Sequence, residues 1–223
     1  MSLTVFVTAV RLLAVLLSTF TLIGAHFGLG SHGWQLSKSP CDAAFVHKTK
    51  RITQSLYLCY VAYATALTLV KLSLIASYLR IFPIRGFRRF LHATGILVVA
   101  LWFVSVLGTV FECVPLVSAW DYTIPPQRCI NLLAFYYSVG GVGIITDIVL
   151  WFAPLPIFWG MNMRARERIM VCGLFGFGFF TCIASILRFS QLHGLRTKDI
   201  TYTSVPTLNW SIAEVSTAII CTC

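Results

Sequence analysis

Residues Leu91–Cys113 read LHATGILVVALWFVSVLGTVFEC, and from Leu91 to Phe111 they contain no Asp, Glu, Lys or Arg. A helix that crosses a hydrocarbon core about 30 Å thick needs about 20 mostly apolar residues. This stretch meets that standard. Five others approach it: Thr4–Leu29, Tyr57–Arg80, Leu132–Phe158, Met170–Leu192 and Leu208–Cys223. The last holds 16 residues, 208 to 223. At 1.5 Å per residue that is about 24 Å of helix, so it reads as a truncated span. Leu12–Gly24 also fits the apolar core of a cleaved secretory signal with Ala25 near the cut. The apolar run continues to Leu29, however, which is long enough to span. The expected fold class is all-α: a polytopic transmembrane helix bundle, one domain over residues 1–223.

Composition agrees. Of 223 residues 58% are hydrophobic and 11% charged, where a soluble domain carries about 25% charged residues. That excludes a disordered or fibrous chain and an ordinary cytosolic enzyme. Net charge is +10, from 17 Lys+Arg against 7 Asp+Glu. The basic residues cluster between apolar runs, so they set orientation and meet anionic lipid rather than nucleic acid. There is no Gly-rich phosphate loop, zinc-type spacing or nucleophile elbow. His26, His32, His47, His92 and His193 sit in loops or at span ends without a metal spacing, so a membrane metalloenzyme ranks last and no cofactor is expected.

Orientation follows from Lys/Arg density. One short connection carries Arg85, Arg88 and Arg89 with Arg80 at its edge, and another carries Arg164, Arg166 and Arg168. The positive-inside rule places both in the cytosol. The opposite loops are longer and hold Lys38, Lys48, Lys50, Arg51, Arg128, Arg196 and Lys198. The totals are equal, so the signal lies in density, and Lys48–Arg51 argues against it. Pro83, Pro154 and Pro156 should stop or kink their helices. Gly140, Gly141, Gly143, Gly173, Gly176 and Gly178 thin two helices, as close packing in lipid requires.

Several segments resemble the fungal rhodopsin-domain family of integral membrane proteins. They include Lys71-Leu72-Ser73 with Tyr78-Leu79-Arg80, then Cys113-Val114-Pro115, Trp120-Asp121 and Cys129-Ile130. The longest run goes from Thr146-Asp147-Ile148 through Pro154-Leu155-Pro156 to Phe179–Arg188, and Trp210-Ser211 with Glu214 closes the set. Members include proteins encoded in mycotoxin gene clusters and receptor-like proteins of surface sensing. The resemblance implies a seven-helix fold, N-terminus outside, with this sequence starting at the second helix and stopping inside the seventh. It also implies a bridge between Cys113 and Cys129, closing the loop that holds Trp120 and Asp121. Cys41 is the alternative partner on the same face.

Ionisable residues in a bilayer are costly and face the bundle interior. Five lie within spans: Arg11, Lys71, Asp147, Arg188 and Glu214. Lys71 lies about 14–17 Å from the cytoplasmic end and Asp147 about 17 Å, so their depths match and they can pair. Arg188 and Glu214 are a second candidate pair nearer the outer face. These contacts either fix packing or form a polar site. The last span holds no lysine, so no retinal Schiff base is expected. The sequence reading is a receptor-like or signalling protein with an unidentified small-molecule or extracellular ligand. The alternative is a transporter or channel for a small metabolite. The bilayer is the expected partner, nucleic acid is not, and a cytoplasmic partner is not identified.

Overall fold

In a computed structural model the described residues of the chain form six helices and one minimal β ladder. The structure describes residues 3–27, 29–30, 43–82, 84–114, 128–155, 165–191 and 200–222. The helices are α1 (Leu3–His26), α2 (Ala43–Ile81), α3 (Arg85–Val110), α4 (Leu132–Phe152), α5 (Ala165–Gln191) and α6 (Ile200–Thr222). Strands β1 (Cys113–Val114) and β2 (Arg128–Cys129) pair antiparallel, with Cys113 opposite Cys129. Among the described residues four stretches are long and apolar enough to cross a membrane: Thr8–His26, His47–Arg80, Arg85–Val110 and Leu133–Phe152. In α5 the described apolar stretch is shorter, Gly178–Ser190.

The helices overrun the apolar segments. In α2 there are 39 residues, about 58 Å of helix against a core of about 30 Å. Lys48, Lys50 and Arg51 therefore ride on a helix rather than in a loop. Arg85, Arg88 and Arg89, expected in a connection, form the opening turns of α3. The short apolar run from Leu208 belongs to a helix of 23 residues that begins at Ile200 and carries Pro206 inside it, and it is not among the four described stretches long and apolar enough to cross. One cause covers all three extensions. Apolarity reports where lipid ends, whereas a helix satisfies its own backbone and continues into the head groups. Arg and Lys are also good helix formers with stems that reach water. At the other extreme α4 stops at Phe152, and Pro154 follows fully buried.

Consecutive helices touch, and α6 returns to α1, so the bundle closes; α2 also touches α6. Its packing is inside out. Leu22 (69% exposed), Ile96 (72%) and Ile145 (59%) look outward, while Ser73, Thr109, Thr146, Ser185 and Glu214 are buried. On α3 the outward residues Ile96, Phe103, Val104 and Leu107 repeat at helical spacing opposite buried Leu91, Thr94, Val98 and Ser105. A water-facing protein would reverse that stripe. One apolar cluster joins Val10 and Leu17 of α1 to Tyr63, Ala66 and Val70 of α2 and Val215 of α6. A second, toward the start of α3, joins Tyr78 and Phe82 to Leu91 and Leu150.

Three of the described glycines permit close crossings, and a Cβ on the first, Gly24 of α1, would stand 2.8 Å from Ser55 Oγ of α2. A Cβ on Gly108 would overlap the Phe135 ring where α3 meets α4, and one on Gly178 would stand 2.7 Å from Trp151 where α4 meets α5. By contrast Gly141, Gly143 and Gly176 face open space.

Candidate functional site

The polar side chains of four helices meet inside the bundle. From α2, Lys71 Nζ lies 2.9 Å from Asp147 Oδ1 on α4. It also donates to Thr146 Oγ1 at 3.1 Å and to the Gly143 carbonyl at 3.2 Å. An ammonium has three hydrogens, and here all three find acceptors. Burial away from water is tolerated for a group so satisfied, as it is not for an isolated one.

The same carboxylate leads onward. Ser185 of α5 donates to Asp147 Oδ2 at 3.0 Å and stands 3.4 Å from Glu214 Oε1 of α6. On its other oxygen Glu214 accepts from the Tyr63 hydroxyl of α2. Over the Tyr63 ring lies the Arg188 guanidinium, its central carbon 4.6 Å from the ring centre. A continuous ladder therefore runs Lys71, Asp147, Ser185, Glu214, Tyr63, Arg188. Glu214 is 3% exposed. Beside the ladder Tyr60 bonds Ser105 Oγ at 2.8 Å, and Trp102 donates to Thr65 Oγ1 at 3.2 Å.

The structure thus brings Lys71 and Asp147 together and sets Tyr63 between Arg188 and Glu214. The aromatic face of Tyr63 takes the cation and its hydroxyl takes the carboxylate, so the two charges meet through one side chain. Sequence reasoning did not find Tyr63 as a member of this site. The available signal was its place two turns before Lys71 on the buried stripe of α2, with Ala66, Val70 and Ser73. Among the described residues two buried polar atoms lack a partner, Arg188 Nε and Thr207 Oγ1.

At the opposite end of α3, a disulfide joins Cys113 to Cys129 across 16 residues of sequence. The Ile130 N–H donates to the Glu112 carbonyl at 2.9 Å beside it. Glu112 lies just past α3, and burial raises its carboxyl above the ordinary carboxylate range. Trp120, Asp121, Arg164 and the alternative partner Cys41 lie outside the described residues, as do the side chains of Arg166 and Arg168 on α5. Arg80, Arg85, Arg88 and Arg89 are exposed. Among the described residues no group of His, Cys, Asp and Glu is arranged to hold a metal ion.

The fungal rhodopsin domain matches residues 3–223 of this chain. The chain belongs to that family. Similar family relatives include the polyenoic acids biosynthesis gene cluster protein Ba17b of Metarhizium anisopliae, 28% identical over 88% of this chain and 55% of its own length. A SAT4 family membrane protein of Emericella nidulans is 25% identical over 92% of this chain and 51% of its own. The Receptor GIN3 of Arthrobotrys oligospora is 22% identical over 72% of this chain and 39% of its own. The chain spans about half the length of the first two and less of the third. No solved structure matches it. As a fungal rhodopsin-domain protein it is a multi-pass integral membrane protein whose surroundings are the lipid bilayer, and one of these relatives is named a receptor.

Proposed function

We propose that residues 1–223 form one rhodopsin-like transmembrane domain of a receptor-like, non-enzymatic protein, in which the ladder from Lys71 to Arg188 is the switch. The observation that carries this reading is Ser185. Its one hydroxyl proton has two carboxylates in reach, Asp147 at 3.0 Å and Glu214 at 3.4 Å. Rotating that bond decides whether α5 is tied to α4 or to α6. Intramembrane ionisable groups that face a bundle interior mark functional positions. Arg188 Nε, buried without an acceptor, offers a donor to an unidentified small ligand arriving from the disulfide end. Such a ligand shifts the balance by binding one arrangement better than the other. This reading assigns no retinal Schiff base, because α6 carries no lysine over Ile200–Thr222.

The same mid-membrane charges favour a second reading, a carrier or channel for a small metabolite. One experiment separates them. Cells expressing the full protein are challenged with fractionated fungal culture extracts and their transcription is followed. The receptor reading expects a response that Ser185→Ala abolishes at equal surface level. Flux of an active fraction into proteoliposomes, with no cellular response, overturns it.

A further inference from the structure

A groove of about 350 Å³ runs between α2 and α3, lined by Leu72 and Ile75 on one side and Leu91, His92, Gly95, Ile96 and Val99 on the other. It is apolar but for His92. We propose that it binds one anionic phospholipid, phosphate on the arginines at the start of α3 and one acyl chain along Gly95, Ile96 and Val99.

The geometry of α3 makes the case. Positions 85, 88, 89 and 92 are spaced i, i+3, i+4 and i+7, so they share a face. Positions 92, 95, 96 and 99 repeat the same spacing. The basic face therefore runs without a break into the groove, and His92 stands at the join. From Arg85 to Val99 the helix rises about 21 Å. Half a bilayer, head group included, is about 20–22 Å. The site has the length and polarity of one lipid in one leaflet.

The charges need an outside partner. Arg85, Arg88 and Arg89 are exposed, and among the described residues none makes an ion pair. The first turn of α3 has no acidic residue, and Ile84 gives its amides no side-chain cap. Cations at a helix N-terminus oppose the dipole, so an anion there relieves both. Gly95 keeps the groove open: a Cβ would meet only Ile75 Cδ1, at 3.8 Å. A longer side chain would fill the space the acyl chain takes.

The test uses the full protein in phosphatidylcholine vesicles, doped with photoactivatable phosphatidylserine or photoactivatable phosphatidylcholine. Crosslinks are mapped by peptide sequencing. The serine lipid is expected to label Gly95–Val99 preferentially. Each Arg→Gln change at 85, 88 or 89 should cut that preference about fivefold, since a basic residue near an anionic surface is worth about 1 kcal/mol. Gly95→Leu should abolish labelling in the groove by both lipids and leave the rest of the lipid face unchanged. For variants that do not fold, raising the salt on the wild type must erode the preference in the same way. Equal labelling by the two lipids overturns the proposal. So does loss of labelling to soluble glycerophosphoserine, which would mark a site for the free anion.

Discussion

Lys71 is held by three acceptors, one of them its counter-charge, and that count fixes what its loss must cost. Asp147→Asn leaves the ammonium buried without its carboxylate, a change that costs about 3–5 kcal/mol in protein interiors. Thermal unfolding in detergent should show a drop of that order for either single change. The exchange Lys71→Asp with Asp147→Lys should recover much of it, and tolerance of both single changes would mean the pair holds nothing. Tyr63→Phe should cost about 1–3 kcal/mol, because one oxygen of Glu214 loses its donor while Arg188 keeps its ring. Tyr63→Ala removes both and should cost more. Glu112 gives a pH signature. Its native carboxyl binds the proton more tightly than the unfolded chain does. Its contribution therefore favours the native state fully below the unfolded pKa and fades as pH rises through the native one. Glu112→Gln removes that slope, so its stability relative to wild type should rise from acid to neutral pH. A gap that stays constant with pH would falsify this.

At the scale of elements, the glycines sort themselves by what stands opposite. Gly108→Ala pushes a methyl into Phe135, and overpacking of this kind costs about 1–3 kcal/mol. Gly141→Ala meets open space and should be neutral or slightly stabilising, since Ala is the better helix former. Melting temperatures of the pair read the difference, and equal shifts would remove the crossing argument. From sequence both are alike, glycines within apolar helices, because the discriminating atom lies on another helix. The same limit governs the rest. The apolar run of α3 was legible because lipid acts on each residue separately. Its first two turns were not, because Arg85 and Arg89 are loop-like in hydropathy and helical in backbone. Lys71 and Asp147 could be matched by depth along their helices. Arg188 near the outer end and Glu214 about two turns in were pairable only by the long side chain reaching inward, yet Tyr63 stands between them, and position along a helix carries no information about what intervenes.

The whole bundle is held as a closed ring with α2 against α1, α3 and α6. At one rim the Cys113–Cys129 bridge ties the end of α3 to the chain entering α4. Closing a loop of this length is worth about 3 kcal/mol, so Cys113→Ser with Cys129→Ser should lower the unfolding midpoint by a corresponding amount. Non-reducing peptide mapping should recover the two cysteines linked in the wild type, and recovery of Cys41 linked to either would displace the assignment. The bridge also dates the chain's history. Thiols join in the secretory lumen and stay reduced in the cytosol, so the far end of α3 must have been threaded through before the bond could close. A cell whose endoplasmic reticulum has lost its oxidising power should accordingly hold newly made copies back, with α3 inserted and its exit unlatched.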